Sequence, residues 1–185
     1  MAHRVCPWWL GYFLISPVRR WLQDPGAILD GYVHDGMTVL EPGPGMGFFT
    51  LELLRRVGSR GRVIAVDVQP KMLARLARRA EKTRLLDRLD ARIAAAESMG
   101  LADLAGSVDF TLAFAVVHEF PDAGEFFRQV SAASKAGATL LLAEPSGHVK
   151  AEQFDSQLEA AARCGLEIQS RPSIPRSLSA LLRKA

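Results

Sequence analysis

From Thr38 onward, short apolar runs rich in Val, Ile and Leu alternate with longer segments whose apolar residues recur every three or four positions. This alternation is the sequence form of strand, helix, strand. It predicts strands at Thr38–Leu40, Arg62–Val66, Ala91–Ala94, Val108–Ala113 and Thr139–Ala143. Helices are predicted between them over Phe48–Val57, Pro70–Lys82, Leu101–Ala105 and Ala123–Lys135. Runs such as Val63-Ile64-Ala65-Val66 and Leu140-Leu141-Leu142-Ala143 have no polar face, which suits parallel strands covered by helices on both sides.

After Ala143 come a helix at about Glu152–Cys164, a strand at Leu166–Ser170, a Pro-containing turn at Arg171–Pro175 and a strand at Leu178–Leu182. The turn is too short for a helical crossover, so the last two strands must be antiparallel. The expected fold is α/β: a doubly wound, seven-stranded, mostly parallel sheet with an antiparallel last strand and helices on both faces. Residues 1–36 precede the sheet and hold all three tryptophans, with prolines at 7, 17 and 25 that break them into short helices. They read as an N-terminal helical flap, packed on the sheet or closing over a substrate. Without an internal repeat or a linker, the whole of 1–185 is expected to form one domain, with the Rossmann-like core at 37–185.

Composition narrows the class. With 49% hydrophobic and 23% charged residues among 185, the chain reads as an ordinary globular protein able to bury a large core. Arg19, Arg20 and Asp24 interrupt the apolar N-terminal stretch, so no membrane span is expected; Pro7, Trp8 and Trp9 open it and no clean small-residue cleavage site follows, so no secretory signal is expected, and the expected location is cytoplasmic. Two cysteines, Cys6 and Cys164, cannot form a disulfide framework or a paired metal motif. A net charge of +3 predicts no nucleic-acid partner by itself. The run Arg75, Arg78, Arg79, Arg84 and Arg88 would lie mostly on the solvated face of a helix whose apolar face uses Met72, Leu73, Leu76 and Ala80. No aromatics interleave with it as a nucleic-acid track would require.

The chemistry concentrates after the first strand. Glu41-Pro42-Gly43-Pro44-Gly45-Met46-Gly47 runs from an apolar strand into a helix, which places backbone N–H groups, free of Cβ bulk, at the strand's carboxyl end. Ligands of open α/β sheets bind there. Glu41 offers an acceptor to a ligand's ammonium or to a loop amide, and Pro44 stiffens the turn. Asp67 ends the next strand, 20 residues beyond Gly47, where a carboxylate reaches the ribose hydroxyls of a nucleoside. A dinucleotide would favour glycine at position 48; Phe48 points instead to an adenosine cofactor without phosphates.

These residues resemble the class I S-adenosylmethionine-dependent methyltransferases. Val39 to Gly47 is similar to their first motif, Val63 to Asp67 to their second, and Val108 to His118 to their fourth-strand motif. The chain looks most like small prokaryotic members that begin with a His/Cys-Pro-Trp-Trp segment. The resemblance implies S-adenosylmethionine as cofactor, with Asp67 on the ribose and Phe114 and Ala115 beside the methionine part and the methyl group. Glu41, Gly43, Pro44, Gly45, Gly47 and Val68 complete the expected cofactor site. Ala95 stands where many members carry an Asp for the adenine amine, leaving Glu97 or the backbone near Ser98 to substitute.

The expected function is methyl transfer to a small-molecule acceptor, which requires alignment more than a catalytic residue. His118, directly after the fourth strand, is the candidate acid-base group, or else a loop histidine. Trp8, Trp9, His118 and Glu144 are candidate substrate contacts, and His148 follows the same sheet edge. His3 and Cys6 beside the tryptophans leave a metal or metalloid reading open, although no metal site is expected. The rival readings are a non-catalytic S-adenosylmethionine-binding or scaffold protein, an RNA or metalloid/thiol methyltransferase, and a nicotinamide-dependent oxidoreductase. Monomer and homodimer both remain open.

Overall fold

The computed structural model describes residues 23–95 and 98–185. Expectations that fall on His3, Cys6, Trp8, Trp9 and Glu97 lie outside the described residues.

The elements run α1 (Pro25–Ile28), β1 (Thr38–Pro42), α2 (Thr50–Arg56), β2 (Arg62–Asp67), α3 (Pro70–Lys82), β3 (Leu89–Ile93), β4 (Val108–Phe114), α4 (Ala123–Ala133), β5 (Ser134–Pro145), α5 (Ala151–Arg163), β6 (Leu166–Ser170) and β7 (Ser177–Lys184). The seven strands form one sheet in the order β3-β2-β1-β4-β5-β7-β6. β1 to β5 are mutually parallel, and β7 runs antiparallel to both β5 and β6. The reversed last strand therefore stands as the short Pro-containing turn requires.

Alternation along each strand divides the core in two. Leu40, Ile64, Val66, Leu140 and Leu142 face Phe126, Phe127 and Val130 of α4 and Phe154 and Leu158 of α5. Val39, Val63, Phe110, Leu112 and Leu141 face Leu53 and Leu54 of α2 together with Leu29 and Val33. Burial of side chains such as Phe110, Phe126 and Phe127, none exposed at all, stabilises the fold by about 2–3 kcal/mol each. The C-terminal part of the flap packs on the second face: Tyr32 stacks on Phe110 with ring centroids 6.0 Å apart. Arg56 holds this segment by donating to Gly26 O at 2.7 Å and Leu29 O at 3.1 Å.

Four predicted boundaries move, each for an identifiable reason. Helix α4 stops at Ala133 rather than Lys135, because its last carbonyls accept from Gly106 N–H (3.0 Å, to Ala132 O) and Ser107 N–H (2.8 Å, to Ala133 O). Ser134 is thereby drawn into pairing with Val108, and β5 begins five residues before the predicted Thr139. The predicted helix at Leu101–Ala105 is a single 3-10 turn, Ala102–Leu104, ended by extended Ala105 and by Gly106 at φ 60°. β3 begins at Leu89, since its register against Val63 is set by β2. No helix among the described residues is long and apolar enough to cross a membrane.

Candidate functional site

β1 and β4 are neighbours in the sheet, but the chain leaves β1 towards β2 and returns on the other side to β4. This is the switch point at which the loops diverge and open a crevice beyond the carboxyl ends of the strands. Glu41, the glycine turn, Asp67, Phe114, Ala115, His118 and Glu144 all stand at or just beyond those carboxyl ends.

The turn needs its glycines. Gly43, Gly45 and Gly47 have φ of 65°, 55° and 81°, in the left-handed region. A Cβ at Gly43 would meet Val116 Cγ2 at 2.6 Å and one at Gly47 would meet Leu76 Cδ1 at 2.4 Å, whereas a Cβ at Gly45 would enter open space. Gly45 is therefore required by its φ and not by packing. Gly43 N–H donates to Val66 O at 2.8 Å, tying the turn to β2. Arg79, on α3, donates to Met46 O and, at 3.2 Å, to Gly47 O. Its half-buried guanidinium fastens the turn from outside. Arg88 likewise donates to Leu54 O at 3.1 Å, so two members of the arginine run hold main chain rather than facing solvent alone.

Two carboxyl groups flank the turn. Glu41 is only 4% exposed, and burial pushes its carboxyl from 4.5 up to about 8. The adjacent Thr50 hydroxyl opposes that rise, and the Asp67 charge adds to it. Glu41 Oε2 and Thr50 Oγ1 make no hydrogen bond among the described residues. A buried polar atom left unpaired costs about 1–3 kcal/mol, which marks the place where a donor belongs. Asp67 accepts from Gln69 N–H at 2.8 Å. Its carboxyl is raised by burial, against the pull of the Gln69, Gly45 and Val68 amides. The Val68 side chain is exposed beside it.

On the other side of the crevice, Phe114 is half-buried and packs on Phe49, with ring centroids 4.5 Å apart. Ala115 adopts φ 55°, uncommon for a residue with a Cβ, and donates to Ala143 O at 2.7 Å. This strained step turns the chain from β4 into the turn Val117–Glu119 that carries His118. Glu144, fully buried at the end of β5, accepts from Val117 N–H at 2.8 Å and from His118 N–H at 3.4 Å. It also holds His118 Nδ1. That bond raises the imidazole pKa, against desolvation, with the Glu144 and Glu119 charges adding. His148 is exposed, its ring edge-on to His118 with centroids 6.4 Å apart.

Ala95 pairs with Ser98 through Ala95 N–H to Ser98 O (3.0 Å) and Ser98 N–H to Ala95 O (3.3 Å). The next amides are also engaged, Met99 N–H by Gln129 Oε1 at 2.8 Å and Gly100 N–H by Ser98 Oγ at 3.2 Å. These bonds occupy the N–H groups near Ser98 and leave each carbonyl a second lone pair, the kind of acceptor that an adenine amine needs. Sequence reading brought His118 and Glu144 to one edge but did not join them, and it missed Arg79 and Thr50 as parts of the turn. The available signal for Arg79 was its position three residues beyond Leu76, bordering the apolar face of α3.

Residues 33–172 match the profile of a family of methyltransferase domains, and the chain belongs to that family. It is a class I methyltransferase domain, a fold whose cofactor is S-adenosylmethionine. No curated protein matches the chain by sequence. Among solved structures, it is similar to an S-adenosylmethionine-dependent methyltransferase from Aquifex aeolicus (TM-score 0.85, 22% identity, covering 98% of this chain and 100% of that one). It also resembles the [4+2]-cyclase SpnF (TM-score 0.72, 17% identity, 85% and 78% coverage). A third is geranyl diphosphate C-methyltransferase from Streptomyces coelicolor A3(2), crystallised with S-adenosyl-L-homocysteine (TM-score 0.68, 15% identity, 87% and 75% coverage). At these identities the likeness is one of fold.

Proposed function

We propose that this protein transfers the methyl group of S-adenosylmethionine to a small-molecule acceptor. The observation that carries the reading is the buried Glu41 carboxyl with an unpartnered oxygen, set across an open glycine turn from Asp67. An ammonium donor satisfies the first carboxyl and a pair of ribose hydroxyls the second, and an adenosyl amino acid carries both.

In this arrangement Glu41 takes the ammonium, and Gly43, Pro44, Gly45 and Gly47 bring main chain close to the cofactor. Asp67 holds the ribose, Val68 covers the adenine with Glu97 near it, and Phe114 and Ala115 flank the methionine part. When bound, the cofactor supplies a methyl group on a sulfonium, already activated for in-line displacement. The protein aligns the acceptor and keeps water out, effects worth up to about 7–11 kcal/mol when positioning is ideal. His118 serves as the acid-base group and with Trp8 and Trp9 borders the acceptor, while the fully buried Glu144 acts through His118. Support for the flap as a lid comes from Gln23, whose amide donates to Pro175 O at 3.0 Å and Ser177 Oγ at 3.4 Å. Ser177 pairs with Pro145, so Gln23 itself is anchored beside the carboxyl end of β5, next to Glu144.

Isothermal titration with S-adenosylmethionine and S-adenosylhomocysteine tests the reading. Binding at micromolar to low-millimolar concentration is expected, and its absence for both overturns it. A second reading, cofactor binding without methyl transfer, draws on Ala95 and on the cyclase among the similar folds. Release of S-adenosylhomocysteine with any acceptor disposes of it.

A further inference from the structure

Glu144 is an unusual choice if its only task is to hold the loop after β4. Two amides, of Val117 and His118, could be held by a neutral side chain without burying a carboxyl group at 0% exposure. What a carboxylate adds is a strong acceptor for an imidazole that must carry a proton. Its second oxygen has that partner, His118 Nδ1. With Nδ1 directed at Glu144, the ring's other nitrogen, Nε2, is the one left to exchange a proton. His118 is 19% exposed at its side chain, and it follows the strained Ala115 by three residues at the rim of the crevice. Among the described residues, the other ionisable groups near it are Glu119 on its own turn and His148 after β5.

We propose that His118 Nε2 is the general base of this site, oriented by Glu144 as a positioning residue, and that the acceptor is a small molecule methylated on a weakly acidic hydroxyl oxygen. This rests on the methyltransferase reading above. The acceptor class follows from the kind of base present. A thiol ionises by itself near neutral pH, an aromatic amine attacks through its own lone pair and sheds its proton afterwards, and an aliphatic amine, an ammonium at neutral pH, must lose its proton before attack rather than during it. A phenol-like hydroxyl, with a pKa of about 10, is the acceptor that gains most from losing its proton during attack. In balance, the acceptor oxygen bonds to the methyl carbon as its proton passes to His118 Nε2. The carbon–sulfur bond breaks with its electron pair kept by sulfur, giving a methyl ether, a neutral thioether and an imidazolium that returns its proton to solvent.

Two measurements test the dyad. In the first, the histidine side chains of the free protein are titrated by nitrogen-detected NMR, with His118→Gln assigning the resonance. His118 is expected to be protonated at Nδ1 when neutral and to titrate above the ordinary histidine range, and Glu144→Gln should lower that pKa while His148→Gln does so far less. A His118 resonance unmoved by Glu144→Gln overturns the pairing. The second follows S-adenosylhomocysteine release with panels of phenols, aliphatic alcohols, amines and thiols. Turnover is expected with hydroxyl acceptors, and His118→Gln should lower kcat at least about 100-fold while cofactor affinity holds.

Glu144→Gln should cost about tenfold or more in kcat and move the acid limb of the pH profile to lower pH. Activity rises with pH as His118 loses its proton, so removing the group that raises its pKa brings that rise forward. Turnover confined to amines or thiols, no turnover with any hydroxyl, or His118→Gln within threefold of wild type overturns the proposal. Failure of cofactor binding in the titration would sink the broader reading, whereas normal binding with any of these results sinks only the dyad.

Discussion

Replacing Glu41 with Gln should make the free protein more stable at alkaline pH while damaging its cofactor site. Glu41 is held at about 8 against 4.5 in an unconstrained chain, chiefly by burial. Between these two pH values the folded protein keeps a proton on Glu41 that the unfolded chain has lost. Stability due to this group is therefore fully present below about 4.5 and declines as pH rises towards 8, by about 1.4 kcal/mol per pH unit. Above 8 the accumulated loss is on the order of 4–5 kcal/mol. Glutamine has the same shape and no proton to lose, so its stability should not follow this slope.

The assay is thermal or urea unfolding of both proteins from pH 5 to pH 9 without ligand. The difference should be small at pH 5 and favour Glu41→Gln increasingly at higher pH. A gain of about 3 kcal/mol corresponds to about 6–12 °C in Tm for a chain of this size. S-Adenosylhomocysteine should narrow the gap, because the wild type gains an ion pair with the ligand's ammonium that the variant cannot form. Parallel pH profiles for the two proteins would refute the argument, since they would mean that Glu41 titrates normally and is not a buried acid awaiting a cation.

Four further substitutions, one of them a control, probe the cradle. Asp67→Asn should weaken S-adenosylhomocysteine binding at least about tenfold by titration calorimetry, the loss of one charged hydrogen bond or more to the ribose; affinity within twofold of wild type removes Asp67 from the site. Gly45→Ala and Gly165→Ala impose similar backbone strain, at φ 55° and 75° with open space around each Cβ, and should each cost about 1–2 kcal/mol of stability. Only Gly45→Ala should also reduce cofactor affinity, by about tenfold or more, as a Cβ in the ligand's space predicts; equal affinity for both proteins would show that the turn does not approach the cofactor. Arg79→Met should cost about 1–3 kcal/mol of stability and several-fold in cofactor affinity by freeing Met46 O and Gly47 O; an unchanged dissociation constant would reduce Arg79 to a surface contact.

The sheet was legible because its strands carry little ambiguity. Val63 to Val66 and Leu140 to Ala143 are apolar on both faces, and the five residues of Arg171–Pro175 leave the last strand no direction but backwards. Helix α3 has the predicted bounds, Pro70–Lys82, because proline opens it and its apolar spacing is regular. Errors fell where distant main chain decides the matter. Nothing within Ser131 to Lys135 tells that Gly106 and Ser107 will take the final carbonyls of α4 and release Ser134 into a strand.

The site divides along the same line. Glu41, the glycines and Asp67 are contiguous signals, each placed by its own strand end, so the order of residues suffices to find them. The His118–Glu144 pair is not contiguous: the partners stand 26 residues apart, on the ends of β4 and β5. Their meeting depends on the register Phe114↔Ala143, which brings the two strand ends level. The left-handed step at Ala115 then turns the chain so that Val117 and His118 present their amides to Glu144. A sequence can show that a histidine and a carboxylate share a sheet edge. Register and one unfavourable φ decide whether they meet, which is why the pair is read from the fold and the glycine turn from the chain.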